Sequence, residues 1–267
     1  MTDQPLVAVI GGSGFYTFLE VARTLEVDTP YGSPSAPIAV GHLAECAVAF
    51  LPRHGRSHEH PPHMINYRAN MWALRSVGVQ RVLAPCAVGS LRPDIGRGTL
   101  VSPDQLVDCT RGRVQTYFDD RAVHVSFADP YCEETREAVL RTARKQSTPL
   151  IDRATMVVVD GPRFSTRAES RFYAAQGWDL VNMTGSPEAV LARELAMCYA
   201  AIGLVTDLDA GVDETDAVSQ AEVLGIFGDN LPRLAELLRH VIVALPEERS
   251  CSCKRVHDGL ASPVTLP

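Results

Sequence analysis

The chain holds no block of Lys or Arg, no apolar run of the ~18 residues a membrane helix needs, no internal repeat and no low-complexity segment. With a net charge of −7, the missing basic block argues against nucleic acid or an anionic membrane surface as a partner. The start, Met1 to Val9, is too short and too polar for a signal peptide, so a soluble cytoplasmic protein is expected. No CxxC motif or partnering His pair supports a zinc site around the seven cysteines, Cys46, Cys86, Cys109, Cys132, Cys198, Cys251 and Cys253. Their odd count and scattered positions suit buried thiols in a reducing compartment. Cys251 and Cys253 are the only close pair. They are expected as reduced surface thiols, with a disulfide or a metal as the alternative.

What is present is an ordinary globular composition. Hydrophobic residues make up 46% and charged residues 21% of 267, enough for one large α/β domain with a real core. Residues Leu6–Ile10, Ile38–Val40, Cys46–Leu51, Arg81–Pro85, Thr99–Val101, Thr155–Val159, Leu180–Val181 and Ala200–Val205 read as strands. A helix is expected over Asn66–Val77, where Tyr67, Met71 and Leu74 recur at helical spacing before Gly78. Others are expected over Glu133–Lys145, Arg167–Gln176, Pro187–Tyr199 and Gln220–Leu245, the last interrupted near Pro232. Strands alternating with helices argue for an α/β protein with a parallel or mixed sheet. The domain is drawn over residues 1–246, and the Ser-, Cys- and Pro-rich stretch 247–267 is expected to be a poorly ordered tail or a partner contact.

Ser13, Arg53, Thr184 and Asp207 each follow the C-terminal end of an expected strand, which is where α/β sheets bind ligands. Gly11-Gly12-Ser13-Gly14 offers free N–H groups to an oxyanion, or is a plain turn; it matches neither G-x-G-x-x-G nor a Walker A loop. Arg53-His54-Gly55-Arg56, with His58, His60 and His63, is a dense cationic cluster. The planar fork of Arg matches phosphate oxygens. The histidines sit among prolines with no carboxylate partner at ligand spacing, so an anion is preferred to a metal. Asn182-Met183-Thr184 adds a hydroxyl. In an acidic chain, three such pieces far apart in sequence point to one assembled site for a small phosphate-type ligand. Phe164, at the end of Asp160-Gly161-Pro162-Arg163, is set to stack on a planar ring or to fill the core. Asp207 and Asp209 stand two apart and face one side of an extended chain. Such a pair holds the N–H groups of a heterocycle, one member staying protonated, or it caps a helix.

In this order these pieces resemble the methylthioadenosine phosphorylases of the trimeric purine nucleoside phosphorylase family, from Ile10 to about Leu245. The most specific matches are Ile10 to Gly14, Pro52 to Arg56, Asn66 to Leu74, Gly161 to Phe164, and Asn182 to Thr184. The resemblance implies a single α/β domain whose central mixed, partly barrel-like β-sheet is flanked by helices. It implies a pentosyltransferase of purine salvage. Inorganic phosphate, the co-substrate, would cleave S-methyl-5′-thioadenosine to adenine and 5-methylthioribose 1-phosphate, with no metal or organic cofactor. By the same resemblance Ser13, Arg53, His54, Cys86, Ala87 and Thr184 hold phosphate. Val88, Gly89, Phe164, Asn182, Met183, Gln220 and Val223 line the nucleoside. Asp207 and Asp209 contact the base amino group and N7, with Asp207 donating the proton. His124 reaches the neighbouring subunit's 5′ pocket, which implies a homotrimer.

The chain departs from that pattern in three places. Pro85-Cys86 replaces a Thr-Thr pair, so a thiol, a weak donor, stands where a phosphate hydroxyl is expected. Gln220 falls near a position that is apolar in methylthio-selective pockets. Thr184-Gly185-Ser186-Pro187 looks like the bacterial methylthioinosine phosphorylases, although those lack the Asp-x-Asp pair. Phosphorolysis of methylthioinosine or of general purine nucleosides is therefore the alternative within the class. A non-catalytic nucleoside-binding protein has no need of both the phosphate cluster and the acid pair. A hydrolytic nucleosidase has no use for the phosphate cluster.

Overall fold

The computed structural model describes residues 4–12, 15, 19–212, 217–260 and 265–267. The first half supplies β1 (Val7–Gly11), β2 (Val21–Leu25), β3 (Ile38–Leu43), β4 (Cys46–Pro52), α1 (Tyr67–Ser76), β5 (Arg81–Ser90), β6 (Leu100–Ser102) and β7 (Gln105–Asp108). The second half supplies α2 (Glu133–Lys145), β8 (Leu150–Asp152), β9 (Thr155–Val158), α3 (Arg167–Ala175), β10 (Leu180–Asn182), α4 (Gly185–Glu194), β11 (Cys198–Leu208) and α5 (Gln220–Ala244).

These strands form one mixed sheet in the order β2-β3-β4-β1-β5-β10-β9-β7, with β11, β6 and β8 branching from β5. The start of β5 lies between β1 and β11, parallel to both. Beyond the end of β1, the last residues of β5 pair instead with β10, Gly89 opposite Val181. The sheet therefore splits at the C-terminal end of β5 and does not close into a barrel. The split opens a crevice between the ends of β4, β5, β10 and β11.

Alternation along the central strands deals their side chains to two cores. Ala8, Ile10, Val82, Ala84, Tyr199 and Ala201 pack with α1 and α4. Val7, Val9, Leu83, Ala200, Ile202 and Leu204 pack with α2 and α5 on the other face. Local signals agree with this placement. The Asn66 side chain caps α1 by accepting from the Ala69 N–H, and Thr166 and Glu169 form a reciprocal capping box on α3.

Three expectations are corrected. The helix placed over Pro187–Tyr199 ends at Glu194, and Cys198 and Tyr199 belong to β11, paired with Arg81 and Val82. The run around these residues is apolar throughout and carries no period of its own, so pairing with β5 decides it. The α5 helix continues through Pro232, because Leu234, Leu237, Leu238, Val241 and Ile242 beyond it are buried in the second core. Burial of that stripe outweighs the ~3 kcal/mol that an interior proline costs. The start of the stretch after Glu247, residues 249–253, is docked on the domain rather than poorly ordered. Arg249 donates to the carbonyls of Gln80 and Ala196, and Ser250 N–H donates to Glu134. Cys253 is buried there, not a surface thiol.

Candidate active site

The crevice holds a cavity of about 380 Å³. Arg53, His54, Cys86, Ala87, Val88, Gly89, Phe164, Asn182, Met183, Thr184, Asp207, Asp209, Gln220 and Val223 all line it. Fourteen residues proposed from the sequence thus meet in one place. Ser13 lies outside the described residues. His124 is exposed and does not line the cavity of its own chain.

At one end the chain leaves β4 into Arg53, whose side chain is only 2% exposed. Its guanidinium meets Glu188 through Nε and Nη2 at 2.5 and 3.1 Å. It also donates to the carbonyls of Pro85 (3.3 Å) and Ile10 (3.0 Å). Tyr199 Oη donates to the same carboxylate at 2.9 Å. Glu188 keeps Arg53 charged against the desolvation that opposes it. These bonds fix the plane of the guanidinium and leave one Nη1 hydrogen for a ligand. His54 differs: burial, and after it the Arg53 charge, push its pKa down to about 4, so the ring is neutral at pH 7. Its Nδ1 lies 2.8 Å from the His60 carbonyl, which only accepts, so Nδ1 carries the proton. Nε2 is then an acceptor, suited to the hydroxyl of a protonated phosphate.

Thr184 precedes α4. Its N–H and that of Gly185 donate to Asn182 Oδ1 at 2.8 and 2.7 Å. The amide of Asn182 donates in turn to the Ala87 carbonyl at 3.1 Å. Asn182 therefore ties β10 to β5, and the Thr184 hydroxyl is the group left for a ligand. Cys86 is buried between these parts. Burial pushes its thiol up to about 12, so it is an uncharged weak donor, not a thiolate.

At the other end a bulge between Val205 and Asp207 breaks the register of β11 against β5. Bulges re-aim side chains, and here both Asp207 and Asp209 face the cavity. Gly89 makes room for them: a Cβ at that position would lie 2.9 Å from Asp207 Oδ1. Asp207 is 4% exposed and accepts from Thr206 Oγ1 at 2.8 Å. Burial, helped by the charge of Asp209, pushes its pKa up to about 6. Burial also raises Asp209, opposed by the nearby hydroxyls of Ser165 and Ser170. The Oδ2 atom of Asp209 is buried with no hydrogen-bond partner among the described residues. Phe164, Val223, Leu224 and Phe227 add apolar wall beside this pair.

Three contributors were missed in the sequence. Glu188 falls in the first turn of an expected helix, and nothing local signals its partner 135 residues away. Thr206 holds Asp207. Arg113 donates to the carbonyls of Asp160, Met183 and Ser186 at 2.8, 2.9 and 2.6 Å, which fastens the Phe164 loop to the Thr184 loop. Gly161 lets these loops meet, since at φ +64° a Cβ would strike the Met183 sulfur. Arg113 sits in a stretch without regular structure and has no motif around it.

Chemically, one end offers fixed donors and a neutral acceptor for a small oxyanion. The other offers two destabilised carboxylates for groups that share or accept a proton.

Residues 6–243 match the sequence family described as the phosphorylase superfamily. An S-methyl-5′-thioadenosine phosphorylase of Mycolicibacterium smegmatis is 56% identical over 98% of this chain and 100% of its own length. A purine nucleoside phosphorylase of Streptomyces coelicolor is 54% identical over 98% of this chain and 97% of its own. Among solved structures, a methylthioadenosine phosphorylase from Schistosoma mansoni in complex with adenine superposes with a TM-score of 0.88. It is 36% identical and covers 92% of this chain and 93% of its own.

Proposed function

The chain belongs to the phosphorylase superfamily, and we propose that its reaction is the phosphorolysis of S-methyl-5′-thioadenosine to adenine and 5-methylthioribose 1-phosphate. It is a nucleoside phosphorylase, a pentosyltransferase, with inorganic phosphate as the second substrate. The observation that carries the choice of base is the buried Asp207–Asp209 pair, facing the same cavity as Arg53, His54 and Thr184.

Phosphate sits against Arg53, the His54 Nε2 and the Thr184 hydroxyl, with Ser13 and the Ala87 backbone completing the cradle. A phosphate oxygen attacks C1′ of the sugar as the C1′–N9 bond breaks and its electron pair moves into the purine. The sugar becomes cationic on the way, and an anion fixed beside it stabilises that charge. The purine leaves more readily once protonated at N7, and Asp207 supplies that proton. At about 6 in the open cavity, its pKa rises further when a purine displaces water from it. Asp209, whose Oδ2 has no hydrogen-bond partner among the described residues, accepts from the base amino group. Met183 and Phe164 pack on the ribose and base, and no metal or organic cofactor takes part in these steps.

A homotrimer in the cytoplasm, with His124 of each chain completing a neighbour's 5′ pocket, fits the exposed position of that residue. No helix among the described residues is long and apolar enough to cross a membrane.

The Streptomyces relative named as a purine nucleoside phosphorylase, together with the polar Gln220 in the wall, favours a second reading with a 5′-hydroxyl nucleoside as substrate. The test is kcat/KM for methylthioadenosine, adenosine, methylthioinosine and inosine, each with and without phosphate. A ~100-fold lead for methylthioadenosine, about 2.7 kcal/mol of transition-state discrimination, is expected. A lead for inosine or methylthioinosine refutes the role given to the acid pair. Turnover without phosphate refutes phosphorolysis.

A further inference from the structure

Four of the seven cysteines converge in one cluster, and none of them lines the cavity. Cys132 is the N-cap of α2, Cys198 opens β11, and Cys251 and Cys253 lie on the docked C-terminal segment. Their four sulfurs all lie within 4.8 Å of one another, and Cys198 and Cys251 are 3.4 Å apart. Cys132, Cys198 and Cys253 are buried, Cys251 is half-buried, and the four pack as a cluster of their own, apart from the two main cores.

We propose that Cys132, Cys198, Cys251 and Cys253 form a four-thiolate site for a structural zinc ion, which clips the C-terminal segment onto the domain. Tetrahedral zinc with Zn–S of ~2.3 Å places its sulfurs ~3.8 Å apart. Sulfurs already confined within 4.8 Å reach that arrangement through small side-chain adjustments. Closed four-cysteine sets, with no position left for water, are the structural type. Four protons leave to solvent as the thiolates bind, and the complex carries a net charge of −2.

The surroundings suit that charge. Cys132 stands at the N-terminal end of α2, where unpaired N–H groups and the helix dipole favour a thiolate. Arg81 pairs with Cys198 across β5 and β11 and so shares its face of the sheet. Its side chain is 2% exposed and lies 3.6 Å from Glu134 Oε1, and its Nε is buried without a hydrogen-bond partner among the described residues. The backbone is fastened on both sides of the cluster: Cys132 N–H donates to the Tyr199 carbonyl at 2.8 Å, and Arg81 Nη2 donates to the Glu248 carbonyl at 3.0 Å. The sequence shows only a C-x-C pair because the two remaining thiols come from a helix start and a strand start more than fifty residues away.

The experiment uses the full chain, produced with zinc present, dialysed against a weak chelator and examined by metal analysis and intact mass. Roughly one zinc per chain is expected, falling below a tenth of that in both Cys251→Ser and Cys253→Ser. Wild-type protein reloaded with cobalt should show the intense charge-transfer and visible bands of a tetrathiolate complex. This readout does not depend on any variant folding. Zinc removal should expose the C-terminal segment to limited proteolysis and leave kcat for phosphorolysis within about twofold, since no ligand lines the cavity. A metal-free chain with four titratable thiols overturns the proposal. So does a mass lowered by the hydrogens of one or two disulfides within the cluster.

Discussion

Replacing Asp207 with Asn separates two consequences of one burial. In the folded chain the Asp207 pKa is pushed up to about 6, above the ordinary carboxylate range, with burial as the largest cause. The folded state thus binds this proton more tightly than the unfolded chain does. Stability contributed at low pH is lost as pH rises from about 4 to about 6, and the full penalty of the buried charge is present at pH 7. Two units at 1.36 kcal/mol each put that penalty at up to about 3 kcal/mol. Asn removes the charge but weakens the bond from Thr206, so a net gain of about 1–2 kcal/mol is expected, a rise of roughly 2–8 °C in Tm. The same change removes the proposed N7 proton donor, and kcat should fall about 10²–10⁴-fold at pH 7. In the parent enzyme the rate should decline on the alkaline side as the acid form of Asp207 is lost, and that limb should vanish in the variant. Thermal unfolding at pH 5 and 7, beside steady-state rates across pH, reads all three. A kcat within threefold of the parent refutes the proton-donor role. A lower Tm at pH 7 refutes the assignment of a buried, costly charge.

Other positions give sharper tests of single contacts. His54 stays neutral down to about pH 4, whereas an unfolded histidine protonates near 6.5, so stability should fall as pH drops through that window. His54→Asn should remove up to about 3 kcal/mol of that slope, measured by urea unfolding from pH 7 to 4. Arg53→Met leaves Glu188 buried and unpaired and should destabilise the chain by about 3–5 kcal/mol. The double variant Arg53→Met with Glu188→Met should regain most of that stability but not phosphate turnover. Cys86→Thr restores a hydroxyl where a neutral thiol now stands, and KM for phosphate should drop about 2–10-fold, the range of one hydrogen bond. Gln220→Leu should raise the kcat/KM ratio of methylthioadenosine to adenosine by about tenfold, and an unchanged ratio would remove Gln220 from the 5′ pocket.

Legibility in the sequence followed how local each cause is. The α1 and α3 helices were readable because their caps and apolar spacing lie within a dozen residues. Strands β2, β7 and β8 were not: they are short and largely exposed or half-buried, with no alternating apolar face to mark them. The boundary between α4 and β11 was misplaced for the reason given above, an apolar run whose conformation is set by pairing with Arg81 and Val82. Most of the cavity residues were reached through short motifs, and Gln220 and Val223 through the family resemblance those motifs carry. Their supports, Glu188 under Arg53 and Arg113 across two loops, act over long sequence separations and leave no local signature. The bulge that turns Asp207 inward is likewise a property of two paired strands, not of either sequence alone.

The two ends of the cavity solve opposite electrostatic problems with the same means. At the phosphate end the cation is already paired: Glu188 takes two of the donors of Arg53, and His54 is neutral. Net positive charge on these two residues is small, so phosphate held there as proposed is expected to be recognised by oriented hydrogen bonds more than by attraction at a distance. Binding at that end should therefore weaken only modestly between low and moderate ionic strength. In the acid pair both carboxyls are buried, and Oδ2 of Asp209 has no hydrogen-bond partner among the described residues. Burial is costly for that pair, and on the proposed assignment a purine offering one donor and one proton acceptor offsets the cost. On the proposed mechanism, the desolvation that makes Asp207 expensive is thus also what makes it an acid when the purine departs. A base lacking N7, which takes no proton from Asp207, should still bind through its amino group to Asp209 and yet be cleaved slowly. Such a 7-deaza nucleoside is accordingly expected to inhibit competitively, and rapid phosphorolysis of it would show that the leaving group departs without Asp207.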